Sequence, residues 1–135
     1  MINFNKLLIT AILFVVLDTI YLNLIKNYFS NQIYLVQGSS IKLNYFAILL
    51  CYMFLIFGIN YFIIQPNRSI LDAFILGIII YGVYETTNKA LLSRWDWFTV
   101  IIDTLWGGIL FALTTYFIKH YLSNFRYTPL NHLFR

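Results

Sequence analysis

The sequence predicts an all-α integral membrane protein, a bundle of four transmembrane helices. Three observations predict it. First, 61% of the residues are hydrophobic and 20% aromatic, while only 10% are charged. Soluble domains run at about 45–50% apolar and about 25% charged. Second, the chain has 135 residues, and so short a chain has too little interior to hide that much apolar surface. Third, the apolar residues gather into four runs, each close to the ~20 residues that a helix needs to cross a bilayer.

The first run extends from about Leu7 to Ile25. Asp18 interrupts it and no small-x-small cleavage site follows, so it reads as an uncleaved helix rather than a signal peptide. The second runs from about Leu43 to Ile64 and ends at the Pro66-Asn67 pair, because proline cannot continue a helix cleanly. The third spans about Ile70 to Leu92 and the fourth about Thr99 to Tyr121. The short connections after the second and third helices predict antiparallel neighbours. The connection 26–42 is longer and mixes Tyr, Phe, Ile and Leu with polar residues. It is expected to lie along the membrane interface. The tail, residues 123–135, is polar and aromatic and is expected to be mobile. The whole chain reads as a single membrane domain.

The formal net charge is +4. The basic residues stand singly beside apolar runs, as at Lys6, Lys26, Lys42, Arg68 and Lys119. That is the placement of charges flanking membrane helices. No basic run or nucleic-acid motif is present, which argues against a nucleic-acid partner. The lone cysteine, Cys51, lies within an apolar run and reads as a small hydrophobe. The end carrying both termini and the Pro66 turn holds Lys6, Arg68, Lys119, Arg126 and Arg135. The other holds Lys26, Lys42, Lys89 and Arg94. The positive-inside rule therefore favours cytoplasmic termini, by a single charge. Trp95, Trp97 and Phe98 at the turn between the last two helices read as an interfacial aromatic belt.

Carboxylates inside apolar runs carry the functional signal, because each is disfavoured at bilayer depth by roughly 2.5–3.5 kcal/mol. There are three: Asp18, Glu85 and Asp103. Counting about 1.5 Å per residue places all three in the half of the membrane opposite the termini. Asp72, at the start of the third helix, needs only its helix N-terminus. On the third helix, Gly77, Tyr81, Glu85 and Asn88 share a face, with Tyr84 beside it. On the fourth, Asp103, Trp106 and Gly107 share a face. On the first, Asp18 and Tyr21 do. The candidate binding residues are thus Asp18, Tyr81, Tyr84, Glu85, Asn88, Asp103 and Trp106. The bland reading pairs Glu85 with Lys89 four residues on and lets the remaining acids serve as interhelical hydrogen bonds.

The stretch Tyr81-Gly-Val-Tyr-Glu-Thr-Thr-Asn88, then Leu91, Trp95 and Asp103-Thr-Leu-Trp-Gly107, resembles the bacterial membrane proteins of the domain of unknown function 2177 family. The family pattern is approximately YGTYDLTN, an apolar run, a Trp, then D-x-x-WG. Asp18, followed closely by an aromatic and Leu22, matches as well. Glu85 stands where the family usually has Asp, and Tyr21 where it has Trp; both keep the chemical type. The resemblance implies a polytopic membrane protein and no established activity.

Three functional readings remain open. One is a pocket for a proton, a cation or a lipid headgroup, with a homo-oligomer required for any conducting pore. A second is a membrane scaffold or partner subunit, with the acids fixing helix register. A third is a lipid-modifying enzyme built on paired acids. No histidine lies within a span and no Cys/His cluster or Gly-rich phosphate loop is present. No metal, cofactor or catalytic residue is therefore assigned, and non-enzymatic readings rank first. The partners expected are the lipid bilayer and a lipid or small polar ligand.

Overall fold

The computed structural model describes residues 3–126. It is all-helical there. Helix α1 spans Phe4–Gln37, α2 Tyr45–Ile59, α3 Ile70–Leu91 and α4 Trp97–Arg126. A π-helical turn, Asn60–Ile64, prolongs α2. Helices α1, α3 and α4, and α2 together with its π-helical turn (Tyr45–Ile64), are each long and apolar enough to cross a membrane. Their outward faces carry large apolar side chains throughout, among them Leu24, Phe54, Leu71 and Val83. Only lipid accommodates such a surface.

Local chemistry sets the helix ends. The Asn3 side chain accepts from the Lys6 N–H at 3.2 Å, and Asn44 does the same for Ala47 at 3.1 Å. Ser69 and Asp72 form a reciprocal capping box at the start of α3, with bonds of 3.0 and 3.1 Å. That contact accounts for Asp72 without any function. The turn after α2 is closed by Arg68 N–H to the Ile63 carbonyl at 2.9 Å, with Asn67 in the left-handed region at φ 54°.

Two elements depart from the sequence reading. The connection expected over 26–42 is largely helix: α1 continues unbroken to Gln37 and stops at Gly38, which takes φ 74°. No Gly or Pro precedes Gly38 in the chain, so nothing breaks the helix sooner. At 34 residues α1 is about 50 Å long, well beyond a ~30 Å hydrocarbon core. The α4 helix likewise continues to Arg126, past the point where a tail was expected to begin. The remainder of that tail, residues 127–135, lies outside the described residues.

Helices α3 and α4 make the most extensive pairing, while α2 leans chiefly on α1. The α3–α4 contact is a backbone contact. A Cβ added to Gly77 would sit 2.2 Å from the Gly107 carbonyl oxygen, and one added to Gly107 would enter the Tyr81 ring. Small residues allow this approach where lipid offers no hydrophobic drive between helices. Elsewhere the core closes on Phe14, which is edge-on to Phe111 at 5.4 Å and to Tyr52 at 6.4 Å, beside Ile59 and Leu110.

Candidate functional site

Asp18 of α1 is held by two other helices. The Tyr52 hydroxyl on α2 donates to its Oδ2 at 2.6 Å, and Trp106 Nε1 on α4 donates to its Oδ1 at 2.9 Å. Tyr21 lies three residues further along α1, on the same face. Its hydroxyl donates to Asp103 Oδ1 on α4 at 3.0 Å, while its ring stacks on Trp106 at 4.4 Å with an interplanar angle of 9°. The two helices therefore exchange contacts reciprocally. Each offers an acid and, three residues on, an aromatic donor for the acid of the other.

Glu85 of α3 continues the chain of contacts. It is fully buried, at 0% exposure. Trp95, in the α3–α4 connection, donates from Nε1 to Glu85 Oε2 at 2.7 Å. The Glu85 and Asp103 carboxyls are close enough to interact directly, yet Glu85 Oε1 has no donor among the described residues. Both facts have one physical source. Two carboxylates offer only acceptors, so their contact becomes a hydrogen bond only when one of them carries a proton. The Lys89 ammonium does not fill the gap. It donates to the Trp95 carbonyl at 2.6 Å and sits 5.7 Å from the centre of the Trp97 ring.

The structure thus gathers four of the seven sequence candidates, Asp18, Glu85, Asp103 and Trp106, into one connected cluster. Tyr81 borders it: its ring covers Gly107, and its phenol is within electrostatic range of Asp18 and Asp103. Tyr84 is 55% exposed on the outer face. Asn88 is half-buried, and its carbonyl accepts from the Leu92 N–H. Neither of these two makes a hydrogen bond to the acids. Conversely, Tyr52, Trp95 and the Tyr21 hydroxyl are donors that the candidate set omits. Tyr52 sits in a run without any charge, so nothing in the sequence separates it from a packing aromatic. Trp95 has the position of a belt residue, but it is buried, at 3% exposure. Its signal is the ten-residue reach back to Glu85 across a tight turn.

A second polar layer lies beyond Trp95. Gln32 on the extended part of α1 donates to the Arg94 carbonyl at 2.8 Å. Its Oε1 accepts from the Asp96 N–H at 3.2 Å and from the Thr99 hydroxyl at 3.3 Å. The Tyr28 hydroxyl donates to Asp96 Oδ2 at 2.7 Å. That hydrogen bond holds the Asp96 carboxyl below its ordinary range, because it stabilises the charged form. The long α1 is thereby clamped to the α3–α4 turn. Among the described residues no group of three His, Cys, Asp or Glu side chains is arranged to hold a metal ion.

Four apolar helices, with lipid-compatible side chains outside and acid–aromatic hydrogen bonds inside, define an integral multi-pass membrane protein. The chain belongs to the family described as Predicted membrane protein (DUF2177), whose model matches residues 3–118. That stretch contains every residue of the cluster, and the family is the one that the Tyr81–Asn88 and Asp103–Gly107 motifs indicate. No curated protein and no solved structure matches the chain.

Proposed function

We propose that this membrane protein binds and releases a proton within the bilayer, at the Glu85–Asp103 carboxyl pair. The observation that carries the reading is the buried Glu85 Oε1, which has no donor and lies in a carboxyl that interacts with that of Asp103. Two carboxylates in contact in a medium of low dielectric cannot both ionise cheaply, and one shared proton satisfies both. Tyr21 and Trp95 then orient the pair by donating to the outer oxygens, one to each acid. A proton suits this place better than a larger occupant. A hard cation wants six or more oxygens, whereas both Asp18 oxygens are already engaged.

Infrared titration of the protein in lipid vesicles tests the proposal. Wild type should show the carbonyl stretch of a protonated carboxylic acid at neutral pH, and alkaline titration should remove it. The band should shift or weaken in Glu85→Gln and in Asp103→Asn and stay as in wild type in Asp18→Asn. A wild type without the band at neutral pH overturns the reading.

A second reading rests on Asp18. Its two oxygens take donors from two different helices, as a residue that sets helix register would. In that case Asp18→Asn lowers the yield of folded protein and leaves the infrared band in whatever protein does fold.

A further inference from the structure

The end of the bundle that carries the α3–α4 connection holds a cavity of about 500 Å³ between that connection and the last turns of α1. Its walls include Lys89, Arg94, Asn31 and Ser93, together with Tyr28 and Asp96. We propose that this cavity binds the phosphate headgroup of an anionic phospholipid.

The charge balance selects an anion. Two cations face one carboxylate, and that carboxylate already accepts the Tyr28 hydroxyl. The Arg94 backbone carbonyl is used by Gln32, but its guanidinium makes no hydrogen bond or ion pair among the described residues. A guanidinium fork matches two phosphate oxygens at once. The amide of Asn31 and the hydroxyl of Ser93 add neutral donors on opposite walls. The volume lies in the range of small-molecule sites, about 300–1,000 Å³.

Neighbouring features select a lipid rather than a free anion. Arg94 and Ser93 also line a second cavity of about 450 Å³, whose other walls include Leu35, Val36, Leu91 and Leu92. A lipid held at Arg94 would run its chains back toward the hydrocarbon core, over exposed side chains such as Leu91 and Ile101. Trp97 and Phe98, both exposed, stand beside the site, as aromatic residues do at headgroup depth. Trp95 lines the cavity and donates to Glu85, but the groups argued to hold the anion, Arg94 and Asn31, touch neither acid of the pair, so the lipid test reads separately from the proton reading.

The test is lipid competition. The full-length protein in mild detergent is offered equal amounts of phosphatidylglycerol and phosphatidylcholine, and native mass spectrometry counts what it retains. Phosphatidylglycerol should be preferred. Arg94→Gln should lower that preference roughly five-fold, the worth of one interfacial cation, with an unfolding temperature close to wild type. Asn31→Ala, on the opposite wall, should lower it as well and serves if Arg94→Gln does not fold. Lys26→Gln, on α1 but outside the cavity, should leave it unchanged. Equal retention of the two lipids overturns the proposal, as does a preference that survives both cavity variants. Displacement of bound phosphatidylglycerol by inorganic phosphate alone would assign the site to a free anion and overturn the lipid.

Discussion

The α3–α4 hairpin and α2 are both apolar membrane helices, and they are held in opposite ways. The hairpin is joined backbone to backbone: Gly77 meets Gly107 with no room for a methyl group, and Gly108 lies against Phe74 and Ile78. By contrast, α2 buries only Ile59 among its α-helical residues and ends in a π-helical turn. Its side-chain hydrogen bonds to α1 are the Tyr52 hydroxyl to Asp18 and, at the π-helical turn, the Lys6 ammonium to the Ile64 carbonyl at 3.4 Å, and its own Gly58 faces open space. The difference teaches where position is specified in this molecule. Without a hydrophobic drive between helices in lipid, attachment comes from close packing and buried hydrogen bonds. The hairpin has both, and it carries the carboxyl pair. Helix α2 has mainly a phenol and a face of large apolar residues turned outward, including Phe46, Leu49, Phe54 and Phe57.

The largest expected effect lies in the hairpin. Gly77→Leu should destabilise the protein by about 3 kcal/mol, the upper end for overpacking, because the new side chain meets backbone and cannot be repacked. Thermal unfolding of the detergent-solubilised protein would read this. A stable Gly77→Leu variant would show that the helices are not locked by their glycines. Next comes Trp95→Phe, which removes the donor to Glu85 Oε2 and leaves a second buried oxygen without a partner. The expected cost is about 1–3 kcal/mol, with a shift in the infrared band of the carboxyl pair.

Tyr52→Phe cuts the link from α2 to Asp18 and should cost about 0.6–2 kcal/mol. It should also speed proteolysis within the 38–44 connection, while the carboxyl band stays unchanged. A loss as large as that of Gly77→Leu would erase the contrast between the two regions.

A smaller effect concerns the outer clamp. The Tyr28 hydrogen bond lowers the Asp96 carboxyl in the folded protein. The unfolded chain therefore takes up a proton there at higher pH than the folded one. The contribution is complete above the ordinary carboxylate range and is lost as pH falls through the lowered folded value. Tyr28→Phe should lower the neutral plateau slightly and flatten the acid limb, so that variant and wild type converge at acid pH. Smallest of all, Gly58→Ala meets open space and should be neutral or stabilising by up to about 1 kcal/mol, since alanine favours helix. A destabilised Gly58→Ala would mean that α2 packs against something on that side.

Much of this is legible in the residues. Four apolar runs become four membrane helices because backbone in lipid must satisfy its own hydrogen bonds, and a helix is the way a single run can do so. The family can be recognised from two short motifs on α3 and α4. Asp18, Glu85 and Asp103 stand out because a carboxylate among apolar residues is costly unless it is sheltered. Even the true end of α1 has a marker, since Gly38 is the first glycine in the chain.

The partners are another matter. A tyrosine or tryptophan in an apolar run has the same composition whether it packs, anchors at the interface or donates a hydrogen bond. Composition therefore does not distinguish Tyr52, which reaches an acid, from Tyr84, which faces outward. Helical period places Asn88 on the face of Glu85 and says nothing of whether another helix meets it there. Those outcomes depend on the rotation and separation of neighbouring helices, set by contacts such as Gly77 on Gly107. Sequence by itself determined how many helices cross and which polar groups need shelter, because both follow from the transfer of single segments into lipid. Tertiary structure alone decided that Glu85 touches Asp103 and that Trp95 and Tyr21 flank the pair, because hydrogen bonds between helices require a few tenths of an ångström of placement that no single helix contains.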